Sequence, residues 1–327
     1  MLDLKVTVEH FPILGKFVIA RGAKTEAVTV VATIEDQTGA RGRGECVPYA
    51  RYGETVESVV RQIETVRTLI ESGADRAALQ RLLPAGAARN ALDCALWDFE
   101  AKRRGVAAHI LAGLPPPGRV VTAFTISAGS PDEMAAAAKR ACGRPLLKIK
   151  LAGEGDAARL AAVRAAAPAS ILIADANEAW PQAELERNLE ICAKAGVALI
   201  EQPLPAGEDA ALARVQHIVP VCADESVHGC TGLEDLRGRY DAINVKLDKT
   251  GGLTEALALV KLAQGLGFEL MIGCMVASSL AMAPALLLAG NAHFVDLDGP
   301  LLLARDRPEG LIYEDSIVNP PSPALWG

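Results

Sequence analysis

Aromatic side chains make up only 4% of this 327-residue chain while half of it is hydrophobic, so Ala, Leu and Val must build the core. Positive charge is in deficit: the net charge is −7, which excludes a general nucleic-acid binder. The seven cysteines stand singly, with no CxxC pair, which argues against a disulfide framework and predicts a reduced, cytoplasmic protein. Zinc is disfavoured by a similar lack, because His10, His109, His217, His228 and His293 form no H-x-x-x-H or related pair. No glycine-rich phosphate turn (GxGxxG or GxxxxGKS/T) occurs, which removes the usual mark of an open nucleotide-binding sheet. Long hydrophobic runs are missing too. The least polar stretch, Met275 to Gly290, is interrupted by Ser278, Ser279 and Pro284, is too short to span a membrane, and reads as a buried helix. The first residues, Met1-Leu2-Asp3-Leu4-Lys5, lack the charged-then-apolar layout of a signal peptide.

What is present changes its grammar part-way along. Residues 2–9 and 27–34 read as strands, the second rich in β-branched residues. Helical spacing follows over 56–72 and 86–104. In the latter, Leu92, Ala95, Leu96 and Phe99 share a face, Lys102, Arg103 and Arg104 fill the last turn, and Gly105 suits the position after it. Two loops between these elements carry arginines: Lys16 to Lys24 with Arg21, and Val47 to Gly53 with Arg51. Solvated surface is the commoner role for such residues. Strands followed by helices make an α+β unit over residues 1–115.

After Pro115-Pro116-Pro117-Gly118, strand and helix alternate with a short period. Strands are expected at 120–126, 146–151, 171–176, 197–202, 220–225, 242–247, 268–273 and 293–297. Helices are expected at 133–141, 156–166, 182–195, 209–218, 253–266 and 279–289. Ser130-Pro131-Asp132-Glu133 has the form of a helix start, with Ser130 as cap. This alternation predicts a closed parallel barrel over residues 116–302, with an open doubly wound sheet as the alternative.

The chain is organised around Leu147-Lys148-Ile149-Lys150-Leu151. On a strand, Lys148 and Lys150 point to one face and the apolar residues to the other. Two cations side by side require anions nearby. Those follow at intervals of roughly one βα unit: Asp175, Glu201 and Asp224, each closing an apolar run, and then Lys246. Residues that end parallel barrel strands converge on one mouth. For a single Asp at a strand end helix capping is the commoner role. Three acids at consecutive units flanked by lysines instead make an oxygen-only site suited to Mg²⁺ or Mn²⁺. Lys150 and Lys246 lie nearly across the barrel from each other. Crowding and burial are expected to lower a lysine pKa enough for it to act as a base. A base on each face is what racemisation or epimerisation requires, with the metal stabilising the charge left by proton loss beside a carboxylate. Asp296 and Asp298 form a further alternating acidic pair, which would either cap the next segment or bind a substrate ammonium. Lys249, in the turn Lys249-Thr250-Gly251-Gly252, reads as structural.

These residues resemble the enolase superfamily in its muconate-lactonising subgroup. The resemblance is carried by the lysine pair, Asp175-x-Asn177, Glu201-Gln202-Pro203, Ala223-Asp224-Glu225-Ser226, and Asn244-x-Lys246 with Gly251-Gly252. Asp296-x-Asp298 narrows it to dipeptide epimerases. Phe17-x-Ile19-Ala20-Arg21-Gly22, Pro48-Tyr49-x-Arg51-Tyr52-Gly53-Glu54 and residues 87–93 are similar to those acting on L-Ala-D/L-Glu. The resemblance implies a modified (β/α)7β TIM-type barrel with an N-terminal α+β capping domain, onto which 303–327 packs back. It also implies Mg²⁺-dependent epimerisation of a dipeptide through an enediolate, in murein peptide metabolism. Lys150 and Lys246 would be catalytic, and Asp175, Glu201 and Asp224 would hold the metal. Lys148, Thr125, Asp296, Asp298, Arg21 and Arg51 would bind substrate, with Asn177 and Glu225 behind the metal ligands. The partner is a small molecule, not nucleic acid or membrane, and a homo-oligomer stays open. The alternatives are an o-succinylbenzoate synthase, which needs no ammonium-binding pair, an N-acylamino-acid racemase, and a non-catalytic binding protein of the same fold.

Overall fold

The computed structural model describes residues 2–327. The first part builds an antiparallel sheet under helices. β1 (Asp3–Ile19) and β2 (Gly22–Glu35) form one long hairpin, and β3 (Arg41–Cys46) pairs with β2. The stretch 16–24, expected as a loop, is therefore the tip of that hairpin. Phe17, Val18 and Ile19 pair with Lys24, Ala23 and Gly22, and Gly22 at φ 141° makes the sharp reversal possible. Five helices follow: α1 (Val56–Thr65), α2 (Arg67–Glu71), α3 (Arg76–Leu82), α4 (Ala87–Arg104) and α5 (Ala108–Leu111). The helix expected over 56–72 breaks at Val66, whose backbone (φ −107°, ψ 1°) leaves the helical region. Gly105 closes α4 in the left-handed conformation, as its position suggested. α4 presses closely on β3. A Cβ on Gly44 would stand 2.1 Å from the Ala91 carbonyl oxygen, and one on Gly42 2.2 Å from the Phe99 nitrogen. Only glycine permits that approach.

The barrel strands are β5 (Phe124–Ile126), β6 (Leu146–Lys150), β7 (Ile171–Asp175), β8 (Val197–Glu201), β9 (Val221–Ala223), β10 (Ala242–Val245), β11 (Glu269–Gly273) and β12 (Phe294–Asp296). They lie in sequence order in one eight-stranded parallel sheet. The ring closes where the Ala123 N–H donates to the Val295 carbonyl at 2.8 Å and the Leu297 N–H to Thr122 Oγ1 at 2.8 Å. Between strands run α6 (Pro131–Arg140), α7 (Asp156–Ala166), α8 (Leu185–Lys194), α9 (Leu247–Thr250), α10 (Leu253–Gly265) and α11 (Ser279–Ala285). Ser130 caps α6 with a reciprocal bond to Glu133.

Two further expectations fail for physical reasons. The segment 120–126 is not one strand: β4 (Val120–Val121) leaves the barrel and pairs with Val318 and Ile317 of the β13 (Tyr313–Glu314) and β14 (Ile317–Val318) hairpin. The helix expected at 209–218 shrinks to a 3₁₀ turn, Ala210–Arg214. The Asp209 carboxylate is not free to cap it, because Ser226, Tyr240 and Arg239 all donate to that group. The chain end then returns to α4, where Trp326 Nε1 donates to the Cys94 carbonyl and the Gly327 N–H to Asp98. Among the described residues, no helix is long and apolar enough to cross a membrane.

The barrel interior is layered, and the layering sets the depth of the site. Leu146, Ile173, Leu199, Cys222, Ala242 and Met271 form a buried apolar plug. Two residues further along the same strands, on the same face, stand Lys148, Asp175, Glu201, Asp224 and Asn244. Each polar group is therefore one layer above a hydrophobic floor.

Candidate active site

Strand register brings the outer polar residues level. Lys150 lies beside Asp175, and Asp175 beside Glu201, in the parallel ladders. Asp224 and Lys246 follow just beyond β9 and β10. All of them are buried. Lys148 Nζ lies 2.7 Å from Asp296 Oδ2, 2.6 Å from Glu201 Oε2 and 3.4 Å from Asp175 Oδ2. Lys150 Nζ donates to Asp175 Oδ2 at 2.6 Å. Lys246 Nζ donates to Asp224 Oδ2 at 2.6 Å and stands 3.8 Å from Glu201 Oε1. Lys150 and Lys246 thus flank the acidic cluster from opposite sides, each on its outer member.

The electrostatics correct one expectation. Burial pushes the Lys148 and Lys246 ammonium groups down, but the carboxylates around them outweigh it, and both rise well above the ordinary lysine value. Crowding by other cations is not the dominant influence here, because carboxylate oxygens stand 2.6–2.7 Å from each of these ammonium groups. Asp175 shows the reciprocal effect: burial raises it, yet Lys150 and Lys148 hold it at about 2. Asp298 is pushed up to about 7 by burial and by Asp296, and Glu225 to about 7 by burial and by Asp224.

Asp175, Glu201 and Asp224 are the residues able to hold a metal. Among the described residues no three acidic or histidine groups close into a ready cage, because ammonium groups stand between the carboxylates. The donor set nevertheless fits a hard divalent cation. It is oxygen-only, comes from neighbouring strands, and already holds positive charge. Glu201 Oε2 is buried without a hydrogen-bond partner, since its close approach to Lys148 lacks hydrogen-bond direction. Asn177 and Glu225 also carry a buried unpaired oxygen each, and both line the cavity above the cluster.

Turns after the strands are strained where they aim these groups. Asn177 (φ 45°), Glu178 (φ 69°) and Gln202 (φ 36°) occupy the left-handed region. The Asn177 N–H donates to Asp175 Oδ1, a local turn that explains the Asp-x-Asn spacing. Gln202 accepts from the Asp224 and Ser226 N–H groups and donates to Leu204, Ser226 and Tyr240.

The cavity above the cluster measures about 880 Å³ and is roofed by the β1–β2 tip and by residues 47–56. Thr125, Asp296 and Asp298 line it. The last strand ends at Asp296, so Asp298 stands beyond it, and its carboxylate accepts from the Thr125 N–H at 2.6 Å instead of capping the next turn. Arg21 and Arg51 both reach the rim but are engaged within the protein. Arg21 donates to the Asn177 carbonyl, Glu178, Tyr49 and Glu225, and Arg51 forms a two-pronged pair with Glu178. Lys24 lines the same rim with no acidic partner among the described residues, its ammonium 5.2 Å from the Tyr49 ring centre.

Glu178 and Lys24 were given no role from the sequence, and Lys249 only a structural one. Glu178 adjoins Asn177, and Lys24 belongs to the basic hairpin tip. Lys249 lies three residues after Lys246, a spacing that puts both on one side of a helical turn.

Residues 133–322 match the family described as enolase C-terminal domain-like, and residues 1–113 match the mandelate racemase/muconate lactonizing enzyme N-terminal domain. The L-Ala-D/L-Glu epimerase of Escherichia coli is 49% identical over 94% of this chain and 96% of its own. An N-acetyl-D-glutamate racemase from Pseudoalteromonas is 47% identical over 88% of this chain and 91% of its own. A solved enolase family member from Agrobacterium tumefaciens, with bound sodium and L-Ala-L-Glu, is 53% identical with a TM-score of 0.98 over all of both chains. The dipeptide epimerase of Enterococcus faecalis, solved with Mg and L-Leu-L-Tyr, has a TM-score of 0.90 at 28% identity over 97% of this chain and 96% of its own. With both domains matched and near-half identity over almost the whole chain, this protein belongs to the enolase superfamily, in its mandelate racemase/muconate-lactonizing branch and among the dipeptide epimerases.

Proposed function

We propose that the chain epimerises a dipeptide of the L-Ala-D/L-Glu class by removing and returning the proton α to its C-terminal carboxylate. The observation that carries this reading is the placement of Lys150 and Lys246 on opposite sides of one acidic cluster. Asp175, Glu201 and Asp224 would hold Mg²⁺, which supplies Lewis-acid stabilisation of the charge that proton loss leaves on the substrate carboxylate. Lys148, held between Glu201 and Asp296, adds fixed positive charge next to that carboxylate. One of Lys150 and Lys246 takes the proton and the other delivers one to the opposite face.

Asp296 and Asp298 are the groups for the substrate ammonium, and Asp296 Oδ1 is a buried acceptor without a partner. A charge-assisted bond there is worth roughly 1.5–3 kcal/mol. N-Acetylation of L-Ala-L-Glu removes the charge, so kcat/KM is expected to fall by about tenfold or more. Asp298→Asn should weaken turnover of the free dipeptide more than that of the acetylated one. A second reading, racemisation of an N-acyl glutamate, is favoured by the ion pair of Asp296 with Lys148, which offsets one of the two carboxylate charges. Equal efficiency on free and acetylated substrates would select it.

Lys24 is the cation for the substrate's side-chain carboxylate, since the acids around Arg21 and Arg51 already neutralise them. Lys24→Met is expected to lower kcat/KM for L-Ala-L-Glu about tenfold, the size of one ionic hydrogen bond, while leaving L-Ala-L-Leu nearly unchanged. Parallel losses on both dipeptides would remove Lys24 from that role.

A further inference from the structure

Asp224 differs from its two companions in how it is held. Asp175 and Glu201 are the last residues of β7 and β8 and are fixed by the ladder between those strands. β9 ends at Ala223, one residue before Asp224, so no ladder fixes this carboxylate. Its main-chain N–H is tied to Gln202 Oε1 at 2.9 Å. Lys246 meets its Oδ2 and the Val227 N–H its carbonyl, and Lys249 alone grips carbonyl and carboxylate together.

We propose that Lys249 is a positioning residue that fixes Asp224 for cation binding and, through Asn244, couples it to Glu201. This rests on the reading of Asp224 as a metal ligand. All three ammonium hydrogens of Lys249 are engaged: with Asp224 Oδ1 at 2.5 Å, the Asp224 carbonyl at 2.6 Å and the Asn244 carbonyl at 2.9 Å. Gripping both the carboxylate and the carbonyl of one residue sets its side-chain torsion as well as its position. Asp224 Oδ2 is then the oxygen turned to the cavity side, where Lys246 meets it. Asn244 carries the tie onward, its side-chain N–H donating to Glu201 Oε1 at 2.8 Å.

Lys249 acts through these residues and not on substrate. Its side chain is 1% exposed, and it is absent from the cavity wall that Asp224 and Lys246 share. Its own mount is rigid. It sits on the single turn of α9, which α4 grips from the capping side. Arg89 donates to the Thr250 and Gly251 carbonyls, and Asn90 to Asp248. The clamp on Asp224 is thereby referred to the same helix that seats the capping domain.

Charge and orientation make opposite predictions. If Lys249 mattered only as a nearby positive charge, removing it would relieve repulsion and tighten cation binding. If it orients Asp224, removing it frees the carboxylate to turn and weakens binding. The ammonium lies directly against the carboxylate that offsets its charge, so orientation dominates.

The test is calorimetric titration of metal-stripped enzyme with Mg²⁺, using wild type, Asp224→Asn, Lys249→Met and Lys249→Gln, each first checked for folding by circular dichroism. Lys249→Met, near-isosteric and uncharged, is expected to weaken Mg²⁺ binding about 10- to 100-fold, the range for residues that orient metal ligands. Lys249→Gln keeps donor groups and should lose less, and it carries the test alone if the Met variant does not fold. In both variants kcat should recover largely at saturating Mg²⁺, which a general loss of structure would not allow. Wild-type or tighter affinity in a folded Lys249 variant overturns the proposal while Asp224→Asn still loses binding. Undiminished affinity in Asp224→Asn overturns instead the ligand reading on which it stands.

Discussion

Replacing Lys150 or Lys246 with alanine is expected to lower epimerisation by about 10³-fold or more, within the usual range for loss of a general acid–base. Each lysine serves one face of the α-carbon, so neither can substitute for the other. The two variants should also differ in a diagnostic way. With one lysine left, one epimer can still exchange its α-proton with solvent without inverting. Incubation of each dipeptide epimer in D₂O with mass-spectrometric readout separates the two activities. Lys150→Ala and Lys246→Ala should each retain exchange on one epimer at most, and on opposite ones. Wild-type inversion rates in both variants would eliminate the two-lysine assignment, as would retained exchange of the same epimer by both. The neighbouring acids give this prediction a further consequence. Lys246 is held well above the ordinary lysine value by Asp224 and Glu201 against the effect of burial. A proton-accepting lysine therefore requires those carboxylates to be engaged with another cation.

Removing divalent cations should abolish turnover, and adding Mg²⁺ or Mn²⁺ should restore it. Asp175, Glu201 and Asp224 lie fully buried above an apolar floor, where their negative charge needs a cation whenever Lys150 and Lys246 turn from them to substrate. A cation bound only to the folded state also raises stability, by about 2.7 kcal/mol at a hundredfold excess over its Kd. Chelation is therefore expected to lower the thermal midpoint as well as the rate, and a differential scan with and without Mg²⁺ reads this independently of activity. Full turnover in chelator-treated, metal-free enzyme would sink the metal-assisted mechanism. A lost rate with an unchanged thermal midpoint would point to a cation that acts on substrate alone.

Much of the architecture could be read before any fold was known. Apolar runs ended by Lys150, Asp175, Glu201, Asp224 and Lys246 are separated by about one βα unit, and parallel strands present the same end to the same side of a barrel. Direction and period alone therefore assemble the cluster. The capping helix was legible for a similar reason, since the helical spacing of Leu92, Ala95, Leu96 and Phe99 and the stop at Gly105 are local properties. Local rules misled where distant groups competed. The helix expected over 209–218 shrinks to a 3₁₀ turn, and Asp209 at its start is taken by Tyr240, Ser226 and Arg239. Residues 120–121 look like barrel strand but pair with the chain's far end.

The sequence by itself determined which chemical groups the barrel mouth contains and roughly how they are ordered around it. Only the tertiary structure decided which of them are spent. Arg21 and Arg51 carry the charge expected of substrate-binding residues, yet Glu178 and Glu225 absorb it, and Lys24 is left open beside them. Lys249 reads as a turn residue and proves to clamp Asp224. One lysine of the base pair was expected to lose its proton readily, yet at Lys246 the surrounding carboxylates outweigh burial and hold the proton more tightly. The physical reason is common to all three. The charge and freedom of a buried group are set by partners within a few ångströms and by the water excluded around it. Here those partners come from strands and loops remote in the chain, so spacing along the sequence names the groups while only their packing assigns the bonds.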